Sequence, residues 1–156
     1  MEFPKRKLPR LRGFDYSSDN YYFVTICTHE KRCLFGSIQM PSVYARMAEE
    51  ELLNIPKHYE RVRIDKYVVM PNHVHAIIVL GCQTNTERSR PLPTLSTVLG
   101  LYKSGVSRKI HEISPDIKVW QKSFYDTIIR NEEAYQSMWK YIDENPLKWE
   151  EDELYM

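Results

Sequence analysis

The stretch that decides the fold runs Val62-Arg63-Ile64-Asp65-Lys66-Tyr67-Val68-Val69-Met70-Pro71-Asn72-His73-Val74-His75-Ala76-Ile77-Ile78-Val79-Leu80. Two apolar runs flank Pro71 and Asn72. Proline suits the first central position of a turn and asparagine the second, so the stretch reads as an antiparallel hairpin. Alternation in the second strand puts His73, His75, Ile77 and Val79 on one face and Val74, Ala76, Ile78 and Leu80 on the other. Both faces are apolar beyond the first turn, which makes this strand a central one.

Upstream, Tyr21 to Thr28 is rich in β-branched and aromatic residues and reads as a strand. Leu34 to Ile38 reads as a short second segment turning at Gly36. An amphipathic helix is expected from Pro41 to Asn54, with Pro56 limiting it. Downstream, Gly81 to Pro93 is polar and reads as a loop. Leu95, Val98, Leu99, Tyr102 and Val106 then stand at helical spacing within Thr94 to Glu112, although Gly100 and Gly105 weaken that helix. Val119-Trp120 and Phe124 to Ile129 are short extended segments. Asn131 caps a last helix from Glu132 to about Asn145, where Pro146 ends it. The pattern is α+β: an antiparallel sheet of four or five strands with helices packed on it.

The 156 residues fit one domain, and 42% hydrophobic with 28% charged residues argues against disorder or a fibrous repeat. No apolar run approaches the ~20 residues of a membrane-spanning helix, and the charged start Met1 to Lys7 lacks the apolar core of a secretory signal. A cytoplasmic location is expected. Cys27, Cys33 and Cys82 form no C-x-x-C pair and are expected to be reduced and buried.

Charge is unevenly spread beneath a net of +1. Residues 1–12 carry Lys5, Arg6, Lys7, Arg10 and Arg12 against Glu2, whereas residues 131–156 carry eight acids against Lys140 and Lys148. This divides the chain into a basic arm (1–19), a central domain (20–147) and an acidic tail (148–156). Eleven tyrosines suit a stacking surface or a nucleophile as well as ordinary packing.

His73 and His75 share a strand face and are able to grip one divalent ion; two partly exposed histidines are the plainer alternative. Tyr141 and Asn145, at i and i+4, stand one helical turn apart and reach the same point. By spacing alone, Tyr141 equally joins Tyr135, Met138, Trp139 and Ile142 in a core-facing stripe while Asn145 caps the helix. His29, His58 and His111 are weaker candidates as ligands or bases.

Five blocks in order, Tyr22-Phe23-Val24-Thr25, Met70-Pro71-Asn72-His73-Val74-His75, Trp120-Gln121 with Phe124-Tyr125-Asp126, Ile129-Arg130-Asn131-Glu132-Glu133, and Tyr141-Ile142 with Asn145-Pro146, resemble the single-tyrosine HUH transposases. The chain is most similar to their REP-associated branch. The resemblance implies a ferredoxin-like (RRM-like) HUH endonuclease fold that cuts and rejoins single-stranded DNA beside a hairpin through a 5′-phosphotyrosine. It makes His73, His75 and Asn145 ligands of Mg²⁺ or Mn²⁺ and Tyr141 the nucleophile. Two helices would cover one face of the sheet while the last brings Tyr141 to the histidines. Tyr135 and Tyr125 are the competing phenols; Tyr135 should point away from the Tyr141 face, and Tyr125 should pack.

Single-stranded or hairpin DNA is the expected partner. Lys5, Arg6, Lys7, Arg10, Arg12, Lys103, Arg108, Lys109 and Lys122 suit its phosphates, together with Arg88, Arg90 and Lys118. Monomer and homodimer both remain open. The tail from Glu150 to Glu153 is taken as a solubilising segment in preference to a mimic of DNA phosphates over the site. Two other functions stay open beside the transposase: a metal hydrolase using the histidine pair without a covalent intermediate, and a hairpin-binding module that does not cleave.

Overall fold

The computed structural model describes residues 20–81 and 92–155, so Lys5, Arg6, Lys7, Arg10, Arg12, Cys82, Arg88 and Arg90 lie outside the described residues. In chain order the elements are β1 (Asn20–Cys27), α1 (Val43–His58), β2 (Val62–Met70), β3 (His73–Leu80), α2 (Leu95–His111), β4 (Tyr125–Ile128) and α3 (Glu132–Glu144). Pro71 and Asn72 make the expected hairpin turn. The sheet has four strands in the order β2-β3-β1-β4, every neighbour antiparallel. Each β-α-β connection therefore steps over one strand, which gives the ferredoxin-like arrangement, with β3 and β1 inside and β2 and β4 at the edges.

The two-faced reading of β3 holds. Val74, Ala76, Ile78 and Leu80 join Val24 and Ile26 of β1 in the larger core, beneath Ala48, Leu52 and Ile55 of α1 and Val98, Tyr102, Val106 and Ile110 of α2. Ile77 and Val79 point the other way, against Tyr135 and Ile142 of α3. Truncating any of these buried leucines or isoleucines to alanine costs about 2–5 kcal/mol. The helices start at side-chain caps: Ser42 accepts from Ala45 N–H, Thr94 from Thr97 N–H (3.1 Å), and Asn131 from Ala134 N–H (2.8 Å).

A register shift between Ile64 and Lys66 interrupts the β2–β3 ladder at Asp65. Such a bulge re-aims a side chain. The Asp65 carboxylate receives the Arg63 guanidinium (Nε, 2.5 Å) and the Tyr135 hydroxyl (2.7 Å). Lys66 donates to Asp143 at 2.8 Å and lies over the Trp139 ring. These contacts fix α3 against β2 and so set where its last turn points.

Four expectations need correction. α1 passes through Pro56 to His58, because the proline forfeits one backbone bond while Tyr59 N–H closes the turn on Ile55 O (3.0 Å). Leu34 to Ile38 forms only an isolated bridge, Gly36 to Pro41; Gly36 adopts φ +88°, and a Cβ there would stand 2.6 Å from Met40 O, so the turn is too tight to start a ladder. Cys33 is exposed, unlike buried Cys27. Tyr125 is exposed on edge strand β4 and does not pack. The last helix ends as expected, at Glu144 with Asn145 as its cap, and beyond it Pro146 opens a 3-10 segment, Asn145–Glu151, whose early positions need no N–H donor. A kink at Lys148 then returns the tail to the sheet.

Candidate active site

β3 begins with His73, paired with Cys27 of β1 and Met70 of β2; His75 lies between Thr25 and Val68. The two rings are buried with centroids 4.5 Å apart. Each uses its inner nitrogen. His73 Nδ1 is 2.7 Å from Asn72 Oδ1, and His75 Nδ1 is 2.9 Å from Thr25 Oγ1. The Asn72 amide nitrogen donates to Lys31 O (3.2 Å) and Leu154 O (2.7 Å), which orients its oxygen toward the ring. His73 Nδ1 is thus the proton donor, and its Nε2 lone pair is free.

Both Nε2 atoms, and Oδ1 of Asn145, are buried without a hydrogen-bond partner. An orphaned buried polar atom costs about 1–3 kcal/mol, so three at one place need a reason. The tail adds a fourth donor. Asp152 Oδ2 accepts from Asn145 Nδ2 at 3.2 Å and lies 3.8 Å from His73 Nε2, while Oδ1 accepts from Leu154 N–H at 2.8 Å. Ligand atoms of His73, His75 and Asp152 all lie within 4.8 Å of one another. An octahedral divalent ion with bonds of ~2.0–2.2 Å holds its ligand atoms about 3–4 Å apart, so a small contraction closes this set around a cation. The residues fit a hard metal: two neutral imidazoles, an amide oxygen and a carboxylate.

The electrostatics agree with that fit. Burial lowers the His73 pKa to about 4, against the pull of Asp152, and burial together with His73 lowers His75 to about 3. Both rings are neutral at pH 7 and offer lone pairs. Tyr141, one turn before Asn145, stands edge-on to the His75 ring (5.3 Å between centroids) and to Phe23 (5.9 Å), with 43% of its surface exposed. Burial and then the charges of Asp152 and Glu153 push its phenol above the ordinary value, while Asn145 acts in the opposite sense. Tyr141 also lines an open cleft of about 560 Å³ with Phe23, Lys31, His75 and Tyr125.

The structure brings Tyr141, His73, His75 and Asn145 together, which is the arrangement the family resemblance implies and which spacing alone left open. Tyr135 is fully buried, its hydroxyl on Asp65, and faces away from this cleft. Asp152 corrects the tail reading: its side chain is buried beside His73, because the 3-10 segment carries it there. Sequence reasoning missed three further participants. In the sequence Asn72 is a turn residue, Thr25 a strand residue and Asp152 one of four acids, with nothing that points to their contacts at the histidines. Thr25 meets His75 through the β1–β3 register, a pairing of residues 50 positions apart that no local pattern marks.

The described cations of the expected DNA set lie elsewhere. Lys103 donates to Gln121 O (2.8 Å) and Ser123 O, and Lys109 pairs with Glu50 and Glu51; both, like exposed Arg108, belong to α2, across the sheet from Tyr141. Lys118 and Lys122 line a groove beside His29 and Trp120. His111 is held by Ile117 O at 2.7 Å, and His29 lies 3.7 Å from Glu30.

No protein-family model matches the chain. An uncharacterised protein of Haemophilus influenzae is 35% identical over a 171-residue alignment that spans 97% of this chain and 93% of that protein. The chain belongs to the same family. Among solved structures, the REP-associated tyrosine transposase bound to a REP hairpin superposes with a TM-score of 0.62 at 20% identity, over 89% of this chain and 73% of that one. A candidate transposase from Deinococcus radiodurans superposes with a TM-score of 0.54 at 16% identity, over 88% and 96%. The tyrosine-transposase fold is therefore shared by this chain. No helix among the described residues is long and apolar enough to cross a membrane.

Proposed function

We propose that this chain is a metal-dependent single-stranded DNA endonuclease and strand transferase of the transposase type, with Tyr141 as nucleophile. The observation that carries the reading is the trio of buried, partnerless ligand atoms, His73 Nε2, His75 Nε2 and Asn145 Oδ1, beside an exposed phenol. Asp152 completes the donor set. The hairpin-bound neighbour of the same fold supports a DNA substrate. Bound there, Mg²⁺ or Mn²⁺ would draw charge from a non-bridging phosphate oxygen and make the phosphorus easier to attack.

The chain's own residues supply the rest. Asn72 holds the His73 imidazole in the ligating tautomer, and Thr25 orients the His75 ring. α3, anchored through Tyr135 and Lys66, presents the Tyr141 oxygen beside the metal-ligand cluster. The Tyr141 Oη–P bond forms as the P–O3′ bond breaks; the phenol gives up its proton and the 3′ oxygen gains one. The products are a 5′-phosphotyrosine and a 3′-OH, and reversal of the step rejoins a strand without water or nucleotide.

Incubation with a labelled single-stranded hairpin library and Mn²⁺ tests this. A denaturation-resistant protein–DNA adduct that Tyr141→Phe abolishes is the expected result. Cleavage without an adduct would instead make the chain a metal hydrolase, and binding without cleavage in any metal would make it a hairpin-binding module.

A further inference from the structure

Cross-strand pairing places His75, Thr25 and Tyr125 in one row of the sheet, so all three point to the α3 face. α3 covers the first of them and leaves the last bare: Tyr125 is 62% exposed on the four-residue edge strand β4. An aromatic ring standing in solvent beside a buried ligand cluster contributes little to packing. It lines the same cleft as Tyr141, with Phe23 and Met138 as apolar neighbours. Lys31 reaches that cleft from the 3-10 turn His29–Lys31, where Glu30 and Lys31 both hold φ +55°. Two successive non-glycine residues in the left-handed region persist only where surrounding contacts demand it. Here Lys31 O accepts from Asn72 and Lys31 N–H donates to Thr28 O (3.0 Å).

We propose that Tyr125 and Lys31 form a subsite for one unpaired nucleotide of the single strand, the base stacked on Tyr125 and its phosphate on Lys31. The subsite rests on the proposed DNA-cutting function and adds to it a means of choosing unpaired DNA. The chemistry is complementary at both ends. A ring face accepts any unstacked base, and among the described residues Lys31 is the one lysine or arginine lining the cleft that Tyr125 and Tyr141 share, whose other charged groups are Asp152 and Glu153. The carboxylates repel a phosphate, so the phosphate belongs at the lysine. The cleft's ~560 Å³ suits a small ligand of nucleotide size. Paired bases keep both faces covered by their neighbours, so a duplex presents nothing for Tyr125 to stack on.

The test uses the full chain with Tyr141→Phe and EDTA, so that no chemistry occurs, and fluorescein-labelled dT12 as probe. Tyr125→Ala and Tyr125→Leu should each weaken dT12 binding about tenfold, while Tyr125→Trp stays within about twofold, since a ring and not apolar area is required. Lys31→Ala should flatten the slope of log affinity against log salt by about 0.7, the contribution of one single-strand phosphate, and Lys31→Arg should restore it. A 5-iodouracil probe of the same length should photocrosslink to Tyr125. Equal dT12 affinity for Tyr125→Ala and Tyr125→Trp, an unchanged salt slope in Lys31→Ala, or crosslinks mapping only to other aromatics would overturn the subsite. Failure of the unsubstituted chain to form an adduct with Mn²⁺, with these binding patterns intact, would overturn the cutting reading and leave the subsite standing.

Discussion

Acidifying the metal-free protein should destabilise it through its two site histidines. Folded, His73 and His75 have pKa values of about 4 and about 3, against about 6.5 unfolded. Between those limits the unfolded chain binds more protons, so stability is fully present above pH 6.5 and falls as the pH drops toward the folded values. At pH 5 each histidine alone loses about 2 kcal/mol relative to pH 7.5, and the two together about 4 kcal/mol if they act independently. For a domain of this size that lowers Tm by roughly 10 °C. Urea midpoints or melting curves in EDTA at pH 7.5 and 5.0 measure it. His75→Gln should remove about half of the acid-induced loss. A fall of the same size in the His73→Gln/His75→Gln double variant would refute the histidine origin.

Other outcomes follow from the same contacts. At pH 7.5, Mn²⁺ at 100 times its Kd should stabilise the protein by about 2.7 kcal/mol, and not the double histidine variant. Asn72→Ala frees the His73 ring, and isothermal titration should show Mn²⁺ affinity about 10–100-fold lower with the fold retained. Asp152→Asn should weaken Mn²⁺ by about an order of magnitude, because one negative ligand is lost. Tyr135→Phe removes the hydroxyl that donates to Asp65 and should cost about 1.5–3 kcal/mol in urea unfolding while adduct formation persists.

The core of this fold is legible because β3 states its own burial. An alternating strand that is apolar on both faces must lie inside a sheet, and the Pro-Asn turn fixes its partner. The His-Val-His spacing and the Tyr141/Asn145 helical turn likewise follow from two local periods, 2 and 3.6. What remained hidden depends on contacts between distant segments. Asp152 reaches His73 only because the chain continues as a 3-10 segment past Pro146 and kinks at Lys148, and a row of acids gives no sign of which one is buried. Tyr125 looked like a packing residue because Phe124 beside it is one; which neighbour faces solvent depends on how far α3 extends over β4. Asn72 is legible as a turn residue, but its second role arises from Lys31 and Leu154, 41 and 82 positions away.

The central claim is that Tyr141 attacks DNA phosphorus beside a metal held by His73, His75, Asn145 and Asp152. Mass spectrometry of the denatured product formed with a hairpin-bearing single strand and Mn²⁺ tests it most directly. The account predicts a nucleotide-modified peptide with the phosphate on Tyr141, absent in Tyr141→Phe and strongly reduced in His73→Ala and His75→Ala. A modification found on Tyr125, Tyr135 or Tyr155, or strand cleavage that continues undiminished in Tyr141→Phe, would contradict it.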